Sequence, residues 1–79
     1  MTMFEAKIKE NRRYYVVVDG ERFRIRTFEQ AVHVGQKAVK GGYPGARLVE
    51  EYDLFKYAPG AGWKHIDHQE FDRTTLLEN

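Results

Sequence analysis

Histidine and carboxylate side chains near the C-terminus are the residues whose types most readily suggest chemistry. His65 and His68 stand close to Asp67 and Glu70, and imidazole with carboxylate is a set that can hold a metal ion or transfer a proton. On a regular strand, however, His65 and His68 point to opposite faces, and no second pair of ligands follows at a matching spacing. We therefore expect no metal site, and a solvated or hydrogen-bonded role for these side chains.

Groups for covalent or acid–base catalysis are scarce. The chain contains neither cysteine nor serine, so the two commonest nucleophiles of covalent catalysis are absent. The adjacent pairs Glu50–Glu51 and Asp67–His68 would diverge on strands, whereas acid–base catalysis needs its groups together in a shaped pocket. We expect a protein that is not an enzyme and that uses no cofactor.

The elements that position these residues begin with strands. Apolar and charged residues alternate over residues 4–9, which predicts a first strand, and residues 10–12 predict a polar turn. Residues 13–18 and 21–26 predict two further strands. Asp19-Gly20 between them favours a type I′ hairpin, which needs positive φ at both positions. This turn sets the pairs Val18–Glu21, Val16–Phe23 and Tyr14–Ile25.

From Thr27 onward, the spacing of the apolar residues changes from that of a strand to that of a helix. Thr27 and Gln30 fit a capping box, and Gly41-Gly42 ends the helix with residues that tolerate a left-handed conformation. Gly35 lowers the helix propensity, so we expect the helix to approach the sheet closely there. At helical spacing, one side of this predicted helix is apolar and consists of Phe28, Ala31, Val32, Gly35, Ala38 and Val39.

Two more strands are predicted after the helix. Residues 48–57 form the first, with a bulge or turn near Tyr52-Asp53, where the apolar alternation changes face. Residues 59–62 form a turn, residues 63–68 a last strand, and residues 69–79 a partly ordered tail able to form one helical turn.

Aromatic residues flank the predicted turn of this second hairpin. Its expected register sets Phe55 opposite Ile66 and Ala58 opposite Trp63, so cross-strand packing explains most of these rings. Trp63 or Tyr57 near the turn could also anchor a partner, since such residues dominate binding hot spots.

The order of elements predicts the fold class. We expect an α+β fold in which an antiparallel sheet of about five strands, in the order βββ-α-ββ, carries one helix on one face. At 79 residues, residues 1–79 make a single domain.

The face of the sheet away from the helix is predicted to be basic. The Asp19-Gly20 turn fixes the register of the two strands that it joins. A shift of this register by one residue would move the apolar side chains to the opposite face of the sheet, and the apolar pattern excludes such a shift. Arginines opposed across strands repel one another, yet they match phosphate and carboxylate groups. We expect a partner-binding surface, against the alternatives of a solvated face or self-association. The same register sets Val17 beside Arg22, Tyr15 beside Arg24 and Arg13 beside Arg26 on this face. Its predicted residues are Lys7, Lys9, Arg13, Tyr15, Arg22, Arg24 and Arg26.

Charge and composition narrow the choice of partner. The formal net charge is +1, with ten basic and five acidic residues in 1–47 against three basic and seven acidic in 48–79. A nucleic-acid binder usually carries an unopposed basic footprint, so a protein surface of mixed charge is favoured and nucleic acid comes second. With 42% hydrophobic residues and neither signal peptide nor membrane span in view, we expect a soluble cytoplasmic protein without membrane contact, monomeric or homodimeric.

From the helix onward the chain resembles small phage-encoded anti-CRISPR proteins that inhibit type I systems, which carry one helix on a five-stranded antiparallel sheet. The matching residues are Thr27-x-x-Gln30-Ala31, Gly45-Ala46-x-Leu48-x-x-Glu51, Leu54-x-x-Tyr57, Gly62-Trp63 and Ile66-Asp67. The arginine-bearing N-terminal half matches none of these motifs.

The resemblance implies a non-enzymatic inhibitor acting in the cytoplasm of a bacterial host. It would bind a subunit of the RNA-guided surveillance complex of a type I CRISPR system, so that target DNA cannot pair with the guide. The alternative is a small nucleic-acid-binding module that uses the basic sheet face.

Overall fold

One helix lies on an antiparallel sheet in this computed structural model, which describes residues 7–78. The α+β class is confirmed, with four strands in the described residues against about five predicted. The strand order across the sheet is β2-β1-β3-β4. The elements are β1 Ile8–Val18, β2 Glu21–Ile25, α1 Phe28–Lys40, β3 Arg47–Ala58, β4 Gly62–Asp72 and a 3-10 helix Thr74–Leu77.

The numbers of predicted and observed strands differ because of residues 10–12, where a turn between two strands was predicted. These residues continue β1, and Glu10, Asn11 and Arg12 pair with Leu54, Asp53 and Tyr52 of β3. The prediction is wrong because hydrogen bonding to a long partner strand outweighs the weak strand preference of a polar triplet. Phe4 and Ala6, from the start of the first predicted strand, lie outside the described residues.

The first hairpin follows its turn sequence. Asp19 and Gly20 have φ values of 51° and 80°, as a type I′ turn requires. The predicted pairs Val18–Glu21, Val16–Phe23 and Tyr14–Ile25 are all present. Local turn chemistry therefore sets the register of β1 and β2.

Helix α1 begins and ends where its caps predict. The Oγ1 atom of Thr27 accepts a hydrogen bond of 3.1 Å from the backbone N–H of Gln30. At the other end, the N–H of Gly41 donates to the carbonyls of Lys37 and Ala38, and Gly42 takes a φ of 110°. No helix among residues 7–78 is long and apolar enough to cross a membrane.

The core lies between α1, the sheet and the 3-10 helix. Its buried residues are Val16, Ala31, Ala46, Leu48 and Leu77. The close approach expected at Gly35 is made to Leu77 and not to the sheet, since a Cβ at Gly35 would lie 2.5 Å from Cδ2 of Leu77. The expectation failed because residues 74–77 close over α1 as a 3-10 helix.

The second hairpin has an irregular register. Leu54 lies opposite Asp67 and Phe55 opposite His65, so Ile66 is an extra residue in β4 and forms a β-bulge. The bulge predicted near Tyr52-Asp53 thus occurs on the other strand.

The bulge also changes the pairs around the turn. Tyr57 faces Trp63 and Ala58 faces Gly62, so the predicted pairs Phe55–Ile66 and Ala58–Trp63 are wrong by one residue. Beyond the bulge, β4 continues to Asp72, four residues past its predicted end.

Candidate functional site

The two faces of the sheet differ in what covers them. The helix and the 3-10 helix pack on the side that carries Val16 and Leu48. The opposite side, here called the open face, carries the odd-numbered residues of β1 and β3 and their lateral neighbours on β2 and β4. Within residues 7–78, no helix lies over it.

Part of the predicted arginine surface is present on the open face. Tyr15 pairs with Arg24 and Val17 with Arg22, as expected, and the guanidinium of Arg22 lies 4.3 Å from the ring centroid of Tyr15. Arg26 follows the end of β2 in a bend, so its predicted pairing with Arg13 is absent from the ladder. Arg24 and Arg26 are exposed and form no ion pair with the described residues.

Arg13, in contrast, is held by the protein's own carboxylates. Its Nε donates to Oε1 of Glu51 over 3.1 Å, and its Nη2 contacts the carboxylate of Asp53. Burial alone would lower the pKa of Arg13, but the hydrogen bond to Glu51 and the charges of Asp53 and Glu51 raise it. Arg22 lies 3.7 Å from the other Glu51 oxygen. This part of the open face is therefore of mixed charge and not basic.

An aromatic cluster occupies the end of the open face nearest the second hairpin turn. Tyr57 and Trp63 pack edge to face with centroids 5.5 Å apart, and they are 41% and 43% exposed. The Nζ atom of Lys9 lies 4.9 Å from the ring centroid of Trp63 and 5.2 Å from that of Phe55. We call Phe55, Tyr57 and Trp63 the aromatic tip. Lys7 is exposed and directly precedes β1.

Two histidines meet a buried aspartate beside the aromatic tip. His65 Nε2 and His68 Nδ1 each lie 2.8 Å from Oδ1 of Asp53. The prediction that the two imidazoles point to opposite faces is wrong, because the extra residue Ile66 restores His68 to the side of His65. We call Asp53, His65 and His68 the histidine cluster.

The cluster perturbs the titration of Asp53 and His68. The hydrogen bond from His68 lowers the pKa of Asp53 to about 2, against the opposing effect of burial, with further help from His65 and Arg13. The same bond to Asp53 raises the pKa of His68, although burial acts to lower it. Asp53 is thus a carboxylate at neutral pH.

A second buried carboxylate lies on the helix side of the sheet. Glu50 is 4% exposed; it accepts hydrogen bonds of 2.9 Å from Nη1 of Arg12 and 3.1 Å from Nε of Arg73. Two arginines compensate its charge, which is the arrangement of a structural ion pair. Glu50 and Glu51 therefore diverge to opposite faces, as predicted.

A shallow groove of about 440 Å³ runs between α1 and β2. Apolar residues dominate its lining, and Lys37 and Tyr43 are the polar side chains that line it among the described residues. Acid–base chemistry needs a matched pair of groups in a pocket, whereas the lining of this groove is mostly apolar.

Two features could have been sought in the sequence but depend on long-range pairing. The neutralisation of Arg13 needs the β1–β3 register, and the histidine cluster needs the bulge in β4. The acidic run at Glu50, Glu51 and Asp53 was the available signal for the first of these. No family model matches the chain, and no curated protein or solved structure gives a significant match.

Proposed function

We propose that this protein is a non-enzymatic binding protein whose open face docks on another macromolecule. The observation that carries the proposal is a sheet face that none of residues 7–78 covers with a helix and that ends in Tyr57 and Trp63, each about two-fifths exposed. Large aromatic side chains held by neighbours supply much of the energy of protein interfaces at little entropic cost. Lys9 and the second hairpin hold these rings in place.

The charges on the open face favour a protein partner. Arg22 and Arg24 lie on β2 at one edge of the sheet, while Glu70 and Asp72 lie on β4 at the other. A partner with both signs of charge can complement such a face, whereas a phosphate backbone would meet repulsion at the β4 edge.

The target class follows from the resemblance to anti-CRISPR proteins alone. On that basis the partner is a subunit of a type I surveillance complex, and docking blocks recognition of target DNA. Glu51, Tyr57 and Trp63 belong to the matching motifs and lie on the open face, which supports the same surface as the point of contact.

A binding assay with matched variants tests this function. Purified type I surveillance complexes are incubated with the protein, captured, and then assayed for a shift of target DNA. We expect co-capture and loss of the DNA shift. Trp63→Ala should weaken binding roughly 30-fold or more, as loss of a hot-spot residue does. Tyr43→Ala removes a ring that is 47% exposed on the helix side and should bind normally.

Each negative result has its own meaning. Failure to bind several such complexes removes the assigned target. Normal binding by Trp63→Ala would show that the aromatic tip does not contact the partner. It would refute the proposal that the partner docks on this end of the open face.

A small nucleic-acid-binding module is the second candidate. The guanidinium groups of Arg24 and Arg26, which are exposed and form no ion pair within residues 7–78, favour it, as does the neighbouring Tyr15–Arg22 stack. This reading predicts gel shifts on naked DNA or RNA that weaken steeply with salt. Absence of any shift at low salt would exclude it.

A further inference from the structure

We propose that Asp53, His65 and His68 form a binding site for a divalent transition-metal ion of the zinc class. The three side chains converge on the open face from β3 and from either side of the bulge in β4. Their ligand atoms all lie within 4.8 Å of one another. This inference goes beyond the binding function and does not rest on it.

The distances require only a small adjustment. Each imidazole nitrogen is 2.8 Å from Oδ1 of Asp53, whereas neighbouring ligands of a tetrahedral zinc ion with bonds of 2.0–2.1 Å stand about 3.3 Å apart. Each of these two distances therefore opens by about 0.5 Å, and the two imidazole nitrogens start within 4.8 Å of each other. The side chains of His65 and His68 are 48% and 44% exposed, so they can move without disturbing the core.

Neighbouring residues hold the ligands in their orientation. Arg13 contacts Oδ2 of Asp53, which leaves Oδ1 as the oxygen directed at both imidazoles. The ring of Phe55 packs on His65 with centroids 5.2 Å apart. Such supporting contacts fix ligand orientation in metal sites.

The charges around the cluster are balanced. Arg13 opposes a cation, but Glu51 pairs with Arg13, and the negative charges of Glu51 and Glu70 act on His68. Two imidazoles with one carboxylate suit zinc, cobalt, nickel or copper, whereas magnesium and calcium prefer oxygen ligands. Three protein ligands leave one position of a tetrahedral ion for water.

Titration with zinc tests the site. The full chain, free of any purification tag and stripped with a chelator, is titrated with zinc chloride by calorimetry. We expect one ion bound per chain and no heat with magnesium chloride. His65→Gln and His68→Gln keep hydrogen-bonding side chains but lose the imidazole, and each should weaken zinc binding about 100-fold or more.

His33→Gln is the matched control, because His33 is exposed on α1, away from the cluster. It should bind zinc like the unmodified protein. In NMR spectra, zinc should shift the ring signals of His65 and His68 and leave those of His33 unchanged, which provides a readout independent of any variant.

Three results would overturn the assignment: no zinc binding by the unmodified chain, normal binding by His65→Gln, or ring shifts confined to His33. His65 also separates this site from the other grouping around His68, which consists of Glu51, His68 and Glu70. Loss of binding in Glu70→Gln with retention in His65→Gln would move the ion there and refute the proposed site.

Discussion

Asp53 is a single residue through which three strands interact. Its two oxygens receive Arg13 from β1 and both histidines from β4, while its side chain is only 9% exposed. A buried carboxylate is tolerated only when charge partners and hydrogen bonds compensate its lost hydration. The histidine cluster therefore contributes to stability even without a metal ion.

We expect Asp53→Asn to lower the free energy of unfolding of metal-free protein at pH 7, and by more than Glu10→Gln does, since it weakens several charge-assisted hydrogen bonds. Urea denaturation measures the change. Glu10→Gln is the control, because Glu10 is half-exposed and pairs with the half-exposed Arg12; it should cost at most about 0.5 kcal/mol. Equal effects of the two substitutions would contradict the role assigned to Asp53.

The 3-10 helix shows how one short element closes the core. The carboxylate of Asp72 accepts a hydrogen bond of 2.9 Å from the N–H of Thr74 and another from its hydroxyl. The same hydroxyl oxygen accepts a bond of 3.1 Å from the N–H of Leu48 in β3. Asp72 thus fixes the turn that places Leu77 against Gly35.

This arrangement predicts a pH dependence. The bonds from Thr74 lower the pKa of Asp72 below its ordinary value, so its contribution is present above the unfolded-state pKa and is lost as pH falls through the folded-state pKa. Asp72→Asn should therefore be less stable than the unmodified protein at pH 7, with a difference that shrinks under acid. Thermal unfolding between neutral and acidic pH tests this; a constant difference would refute it.

The contact between Gly35 and Leu77 predicts that Gly35→Ala destabilises the protein when Leu77 is present and stabilises it in the Leu77→Ala background. Gly35→Ala should destabilise the protein, because its Cβ would collide with Leu77. Leu77→Ala alone should cost about 3 kcal/mol through the cavity it leaves. In the Leu77→Ala background the collision is gone, and Gly35→Ala should stabilise α1 by up to about 1 kcal/mol.

A double-mutant cycle in urea measures this coupling. Leu76→Ala is the control, since Leu76 is 43% exposed, and it should leave the effect of Gly35→Ala unchanged. Additive effects of Gly35→Ala and Leu77→Ala would show that the two residues do not constrain each other.

These elements also show which features a sequence can predict. The Asp19-Gly20 turn and the Thr27 cap act within four residues of chain, and both were predicted correctly. The bulge at Ile66 arises only when β4 pairs with β3, so periodicity along one strand placed His65 and His68 wrongly. Likewise, the turn expected at residues 10–12 is replaced by pairing with a strand about 40 residues away.

The whole molecule is elongated. Its radius of gyration is 16.6 Å and its principal extents are 54 × 25 × 17 Å, whereas a compact chain of this length has a radius of about 12 Å. The 13 residues of α1 span about 20 Å, and the 11 residues of β1 about 36 Å. The strands therefore extend beyond the helix and carry the aromatic tip away from the core, where a partner can reach it.

Charge-reversal variants on the two faces of the sheet test which face contacts the partner. Arg24→Glu with Arg26→Glu changes the basic edge at exposed positions, so folding should persist while affinity for the surveillance complex falls about tenfold or more. Lys56→Glu with Lys64→Glu makes the same charge change at paired, exposed positions on the opposite face of the sheet and should bind normally. Calorimetry or surface plasmon resonance compares the two. Retained affinity in the arginine variant, with loss in the lysine variant, would place the partner on the helix side, because a contact through the open face cannot produce that pattern.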